Sequence, residues 1–468
     1  VLVVGDTIWD VRSGQMVTDL RHAWKGIKIA GRNPVSGQYH PNGKYVLMTM
    51  DDAAVRIYDV KTGKEVAVLI AFEDGEWLTI TPEGYYNSSE KGARHLSVNL
   101  EGTSYSVERF YDVFYRPDIV AAKLRGEDIS DLITITMRDV IKNPPPLVKI
   151  NPVAAIPGSP KVKVCYSIKS MGGGIGEVRL FHNGKLIESD GYYREAAKTA
   201  IEKSQLATLD SRAIYADMRS VKIKDGAALS STVDTRVKGE EFNECREVDA
   251  VSGENEISIA AFNKENTVQS YLQTEKFTSA LKPDDAHLYI LSIGIDRYRD
   301  KAIDLKYAVK DSRDIKEKIM RQASSVYKPE NIHTELLTDG NATKSNIKDK
   351  IAALAAKIKP ADSFIFFAAG HGVLLQNQYY MLTCEYDGRG TDANLISSNE
   401  IVDISKKIKS LSQLFIFDTC HAGGVDYLVT GLYDARMSVL AKKMGLHIYA
   451  SASGRQAAMD GYKGNGLF

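Results

Sequence analysis

Phe364-Ile365-Phe366-Phe367-Ala368-Ala369-Gly370-His371-Gly372 is an unbroken apolar run that ends on a histidine held between glycines. Leu414-Phe415-Ile416-Phe417-Asp418-Thr419-Cys420-His421-Ala422-Gly423-Gly424 follows the same plan and delivers a cysteine into a small-residue turn, 49 residues after the histidine. Runs of this kind have the character of strands buried on both faces. Around them strand and helix patterns alternate from about His287 onward. Leu288–Gly294 reads as a first strand, followed by a helical pattern through Leu305, Ala308, Ser312, Ile315 and Ile319. His333 to Leu337 predicts a second strand, and Thr343 caps a helix bearing Ile347, Ile351, Leu354 and Ile358. Ser397-Ser398-Asn399-Glu400 is a capping box that opens a helix with Ile401, Ile404 and Ile408 on one face. Leu446-His447-Ile448-Tyr449-Ala450 is a last strand. Apolar strands separated by amphipathic helices imply a mainly parallel sheet covered on both faces. The functional crevice of such a sheet lies beyond the carboxyl ends of its strands, where His371 and Cys420 both fall.

A free cysteine is mostly thiol at neutral pH. A neighbouring imidazole takes its proton and later donates one to a leaving amine. Glycine after the histidine, and the turn at the cysteine, leave backbone N–H groups to hold a developing oxyanion. His421, adjacent to Cys420, reads as a turn residue, because neighbouring side chains point apart.

These segments resemble the signatures of caspase-like cysteine peptidases, nearer the metacaspase branch than animal caspases. Leu305-Lys306-Tyr307-Ala308-Val309-Lys310-Asp311 and Leu337-Thr338-Asp339-Gly340-Asn341-Ala342-Thr343-Lys344 support the likeness. The resemblance implies His371 as general base and acid, Cys420 as nucleophile, and the N–H groups of Gly372 and Cys420 as the oxyanion hole. It places Asp418 and Asp311 in the pocket for the side chain before the scissile bond. Two carboxylates there favour lysine or arginine and disfavour aspartate, since burying acid against acid is costly. Animal caspases carry a neutral glutamine at the position of Asp418. The family commonly has a proline where Thr383 or Cys384 stands. Some metacaspases are activated by calcium, but no residues here carry such a site over, and neither a metal nor a cofactor is expected. Arg436, Lys442 and Lys443 would suit self-cleavage by an enzyme specific for basic residues. The competing class is a non-catalytic protein-binding scaffold with an inactive caspase-like domain.

The region before the peptidase reads differently. Ile8-Trp9-Asp10-Val11-Arg12-Ser13-Gly14-Gln15 recurs as Ile57-Tyr58-Asp59-Val60-Lys61-Thr62-Gly63-Lys64. In each copy an aromatic-Asp strand end is followed by a Ser/Thr-Gly turn, which resembles WD-repeat propeller blades. Two unrelated hairpins with similar turns would read the same way. The expected organisation is a partial WD-repeat β-propeller over 1–118, then a helical segment and a linker ending in Asn143-Pro144-Pro145-Pro146 over 119–146. The helix is expected from Ile119 to Lys142. Short alternating runs over 147–280, with the hairpin signal Asn183-Gly184, predict an immunoglobulin-like β-sandwich with a helix-leaning insertion near 191–240. The caspase-like domain occupies 285–468. The whole chain resembles prokaryotic proteins that place WD repeats and an immunoglobulin-like domain before such a peptidase.

Composition is that of an ordinary globular protein, with 44% apolar and 26% charged residues. Lys+Arg and Asp+Glu are both 60, so no charge excess points to nucleic acid or an anionic surface. No run approaches the ~18 apolar residues that would span a membrane. Expected partners are protein or peptide substrates and a protein bound through the WD-repeat region, with no nucleic acid and no membrane. The four cysteines lie far apart, which argues against a disulfide scaffold and leans towards a reducing, cytoplasmic setting. Cys165 and Cys384 read as buried apolar fillers. The start at Val1 suggests a piece of a longer chain, and the stop at Gly464-Asn465-Gly466-Leu467-Phe468 falls inside the peptidase domain, so its last sheet elements are expected to be missing.

Overall fold

A computed structural model describes residues 2–4, 7–9, 13, 15–19, 34–100, 103–130, 133, 135–190, 239–375, 378–391, 393–420, 437–450, 460–462 and 465–466. Among these the chain divides into two compact units, the first ending at Lys142 and the second beginning at Asn143.

The first unit is β-rich. Leu2–Val4, Thr7–Trp9 and Met16–Asp19 form a three-stranded antiparallel sheet, and six strands from Pro34–Tyr39 to Tyr86–Ser88 form an antiparallel meander. The first copy of the sequence echo begins in Thr7–Trp9, and the second spans the hairpin between Val55–Asp59 and Glu65–Ala71. In the second copy Asp59 builds the turn. Its Oδ1 accepts from the Thr62 N–H and hydroxyl, both at 2.8 Å, and Gly63 takes the left-handed conformation at φ 66°. Residues 10–12 and 14 of the first copy lie outside the described residues. The helix expected from Ile119 to Lys142 is instead two, Pro117–Arg125 and Met137–Ile141. Gly126, at φ 78°, ends the first by turning its N–H back to the last carbonyls, and Thr136 with Asp139 opens the second as a capping box.

The second unit begins with two antiparallel sheets of four strands each. One joins Leu147–Ile150, Ala154–Ala155, Lys161–Lys169 and Glu241–Asp249; the other joins Lys185–Ser189, Val178–His182, Gly253–Ala261 and Gln273–Ser279. They share one core, in which Val162, Val164, Tyr166 and Ile168 meet Val178, Leu180, Ile257 and Ile259. Alternation along Lys161–Lys169 turns every second residue inward, as period-2 patterning requires. That same alternation corrects the reading of Cys165. It lies on the outward, half-buried row directly opposite Cys245, and the two form a disulfide. With it goes the support that widely spaced cysteines lent to a reducing compartment. The insertion at 191–238 lies outside the described residues.

The rest of this unit alternates strand and helix. Its elements are β1 (Leu288–Gly294), α1 (Ala308–Ala323), β2 (Ile332–Thr338), α2 (Lys344–Ala355), β3 (Ser363–Leu375), β4 (Gln378–Leu382), β5 (Leu395–Ser397), α3 (Ser398–Lys407), β6 (Ser412–Cys420) and β7 (His447–Ala450). Strands β2-β1-β3-β6-β7 form a parallel sheet in that order, and every residue of β1 is buried. Beyond the sheet β3 runs on as Gly372–Leu375 and pairs antiparallel with β4, which pairs with β5. The helix starts follow their sequence signals. Thr343 Oγ1 accepts from the Asn346 N–H at 3.1 Å, while Ser397 and Glu400 cap each other at 3.0 and 3.2 Å.

Candidate active site

Residues from β1, β3 and β6 meet in register at the carboxyl end of the sheet. Gly294, Ala369 and Asp418 form one row across these strands; two residues further on, His371 is the partner of Cys420. A Cβ on Gly294 would overlap Ser312 Oγ, so glycine lets α1 settle directly on this row. Asp418 is fully buried, and Asp311, in the first turn of α1, is 9% exposed. Asp418 therefore lies on the row against which α1 settles, and Asp311 lies in the first turn of that helix.

His371 is held from two sides. Its backbone N–H donates to the Tyr298 hydroxyl at 2.9 Å, and its ring packs 5.1 Å from the Tyr298 ring. Gly370 makes that approach feasible, since a Cβ there would come within 2.8 Å of the same hydroxyl. On the imidazole, Nε2 donates to the Ile303 carbonyl at 2.7 Å. This fixes the neutral tautomer with its proton on Nε2, which makes Nδ1 the basic nitrogen.

The loop that supplies these contacts is tied down by acids. Asp339 Oδ1 accepts from the N–H groups of Asp296 and Arg297 at 2.8 and 2.9 Å, and Asp304 Oδ1 accepts from the Tyr298 N–H at 2.8 Å. Tyr379 OH lies 2.7 Å from Thr419 Oγ1, so β4 also steadies β6 one residue before Cys420. Sequence reading missed Tyr298, Ile303 and Tyr379. Tyr298 follows the first strand closely enough to have been flagged by position, whereas a backbone carbonyl leaves no mark in residue type.

The remaining expected residues fall as follows. Gly372 is buried in β3 opposite Met381, where the strand leaves the parallel sheet. Cys420 is the last residue of β6. Cys384 is free and buried, and burial pushes its thiol up, so it stays protonated and chemically quiet. No group of three or more His, Cys, Asp or Glu with the geometry of a metal site occurs among the described residues.

Residues 289–468 match the family model of the caspase domain. No curated protein matches the chain. Among solved structures, a Geobacter sulfurreducens protein aligns at 16% identity over 39% of this chain and 78% of its own, with a TM-score of 0.29. A β-glucuronidase from Ruminococcus gnavus aligns at 10% over 65% of this chain and 54% of its own, with a TM-score of 0.14. At these scores neither likeness bears on the fold. From the family match, and from a parallel sheet whose central strands end on a histidine and a cysteine, residues 289–468 are a caspase-like domain of the cysteine peptidase kind.

Proposed function

We propose that this chain is a cysteine endopeptidase that cleaves after arginine or lysine. The observation that carries the reading is the register pairing of Cys420 with a histidine whose Nε2–H is committed to a backbone carbonyl. In this mechanism Nδ1 of His371 takes the Cys420 thiol proton, and the thiolate attacks the scissile carbonyl. The imidazolium, stabilised by Ile303 O, then protonates the leaving amine, and water hydrolyses the thioester. The N–H groups of Gly372 and Cys420 would receive the oxyanion. Asp418 and Asp311 would face the basic side chain; the burial of Asp418 supports this, because a buried carboxylate favours a cation beside it.

The flanking β modules, read as WD-repeat and immunoglobulin-like, would bring a protein partner to the enzyme; the Asp59–Thr62 turn of the second copy supports the blade-like reading. For self-cleavage, the buried Lys443 is a poor candidate, while Lys442 is exposed and Arg436 lies outside the described residues.

The test is turnover of peptides ending in Arg, Lys or Asp by the full chain, with Cys420→Ala as control. Arg and Lys peptides should be cut and the control should be silent, its rate down by at least ~10³-fold. Preference for Asp would overturn the pocket assignment. Absence of cleavage of any peptide or protein would favour the scaffold.

A further inference from the structure

Two lysines are buried where the sandwich meets the peptidase, and they are kept there in different ways. Lys443, 3% exposed, has Glu177 Oε1 at 3.1 Å from its Nζ. Lys185, 1% exposed, has no carboxylate partner among the described residues. Its Nζ donates to the Ile408 carbonyl at 2.8 Å, a neutral acceptor that also takes a bond from Gln413 Nε2 at 2.8 Å. The backbone on both sides of Lys185 is fixed. The Asn183-Gly184 turn before it sits so close to Gly445 that a Cβ there would overlap the Gly184 carbonyl, and Leu186 after it is buried within the peptidase's apolar core.

An ammonium held in this way lacks the opposite charge that would offset its desolvation, so the neutral amine is favoured. Burial accordingly pushes Lys185 down to about 7. An amine that is neutral near pH 7 is a nucleophile, which an exposed lysine is not. Lys185 also lines a cavity of about 170 Å³. The three acids on the cavity wall are committed to other cations. Glu188 pairs with Arg246 at 2.9 Å, Asp249 with Lys409 at 3.1 Å, and Glu247 with Lys161 at 3.5 Å. Arg246, Lys406 and Lys409 bring positive charge to the same wall. His182, the register partner of Lys185, lies 2.9 Å by its Nε2 from Asn255 Oδ1, and burial holds it below its ordinary value, so it is uncharged near pH 7.

These features select the electrophile. It must be small and uncharged to reach an amine so nearly sealed. Its product should be an anion, which the wall cations would hold, whereas an imine formed from an aldehyde would be neutral or positive among them. We propose that Lys185 is a carbon dioxide site, at which the buried amine is converted reversibly to a carbamate. The nitrogen lone pair attacks the carbon of carbon dioxide and an N–C bond forms as one C=O π pair moves to oxygen. One N–H proton leaves to water, so amine and carbon dioxide give a carbamate anion and a proton. The new negative charge faces Lys406, in the last turn of α3, and Lys409 just beyond it. The site stands apart from peptide cleavage and is tested without it.

The experiment equilibrates the full chain with isotopically labelled bicarbonate, dissolved carbon dioxide being held constant, and reads the carbamate resonance by NMR. A resonance is expected at about pH 8, with at least ~10-fold less of it at about pH 6, where Lys185 is an ammonium. Lys185→Met should lose it. Trapping the carbamate as its ethyl ester with triethyloxonium, followed by peptide mapping, should place the label on Lys185 ahead of the exposed lysines, which are almost wholly charged at that pH. Absence of a carbamate resonance from the folded wild type at about pH 8, or a resonance that persists in Lys185→Met, would overturn the proposal. Should Lys185→Met fail to fold, the peptide map of the wild type decides, and label confined to other lysines overturns it.

Discussion

The sandwich and the peptidase sheet bury their residues by opposite rules. Lys161–Lys169 alternates inward and outward, so its sequence announces a face. Strand β1 is buried at every residue and announces none. In the sandwich a buried charge is thus an exception with a location attached, and Glu177 and Lys185 trace the contact with the peptidase. In the peptidase sheet His371 and Asp418 are buried polar residues towards the carboxyl ends of their strands, and they mark the candidate site. One rule serves both regions: a charge kept away from water is costly, so its neighbours tell what it is for.

That rule can be broken first at Asp418. Asp418→Asn removes a buried carboxylate without changing shape, and kcat/KM on Arg peptides should fall by ~30-fold or more while small neutral peptides lose less. Equal losses on both would mean that the acid supports the fold rather than the substrate.

Removing the Cys165–Cys245 bridge tests the opposite kind of residue, one on the solvent side of an alternating strand. It closes a separation of 80 residues, so the double serine variant should unfold ~2–4 kcal/mol more easily in denaturant and keep its kcat. Thiol counting on the denatured, unreduced chain should find two of the four cysteines.

Tyr298→Phe takes away only a hydroxyl and leaves the His371 N–H buried without its acceptor. A stability loss of ~1–3 kcal/mol is expected, with a lower kcat and an unchanged KM.

Lys185→Met sharpens the comparison through pH. The folded value of Lys185 is about 7, below the unfolded value near 10.4. Between those values the unfolded chain binds more protons, so this group's contribution to stability rises with pH across the window. Melting temperatures of the variant should exceed those of the wild type at pH 7 and converge with them towards pH 10. His182, Arg246, Glu188, Glu247 and Asp249 of the sandwich, and Lys406 and Lys409 of the peptidase, line the same cavity of about 170 Å³. Of these, His182 has a lowered value and titrates below the window.

Much of this was legible in the sequence, and what was not has identifiable reasons. The long apolar runs fixed β3 and β6, and the caps at Thr343 and Ser397 gave helix starts, because these are local patterns of spacing and hydrogen bonding. The break at Gly126 was missed because apolar residues continue beyond it and mask the left-handed stop. Cys165 was misread because strand alternation, not residue type, decides its face. Its partner lies across a register that sequence alone does not set. His371 and Cys420 were legible as types at strand ends. The grip of Glu177 on Lys443 was not, since hundreds of residues separate them.

The Ile303 carbonyl has a consequence for how such a site endures change. The acceptor that orients His371 belongs to the main chain, so every amino acid at position 303 supplies it, and a scan replacing side chains one by one would pass over it in silence. Vulnerability is transferred to Asp304 and Asp339, which shape the loop without touching the imidazole. The geometry of the candidate site thereby depends on two half-buried loop acids, and loss of either carboxylate would displace a histidine whose own side chain is intact.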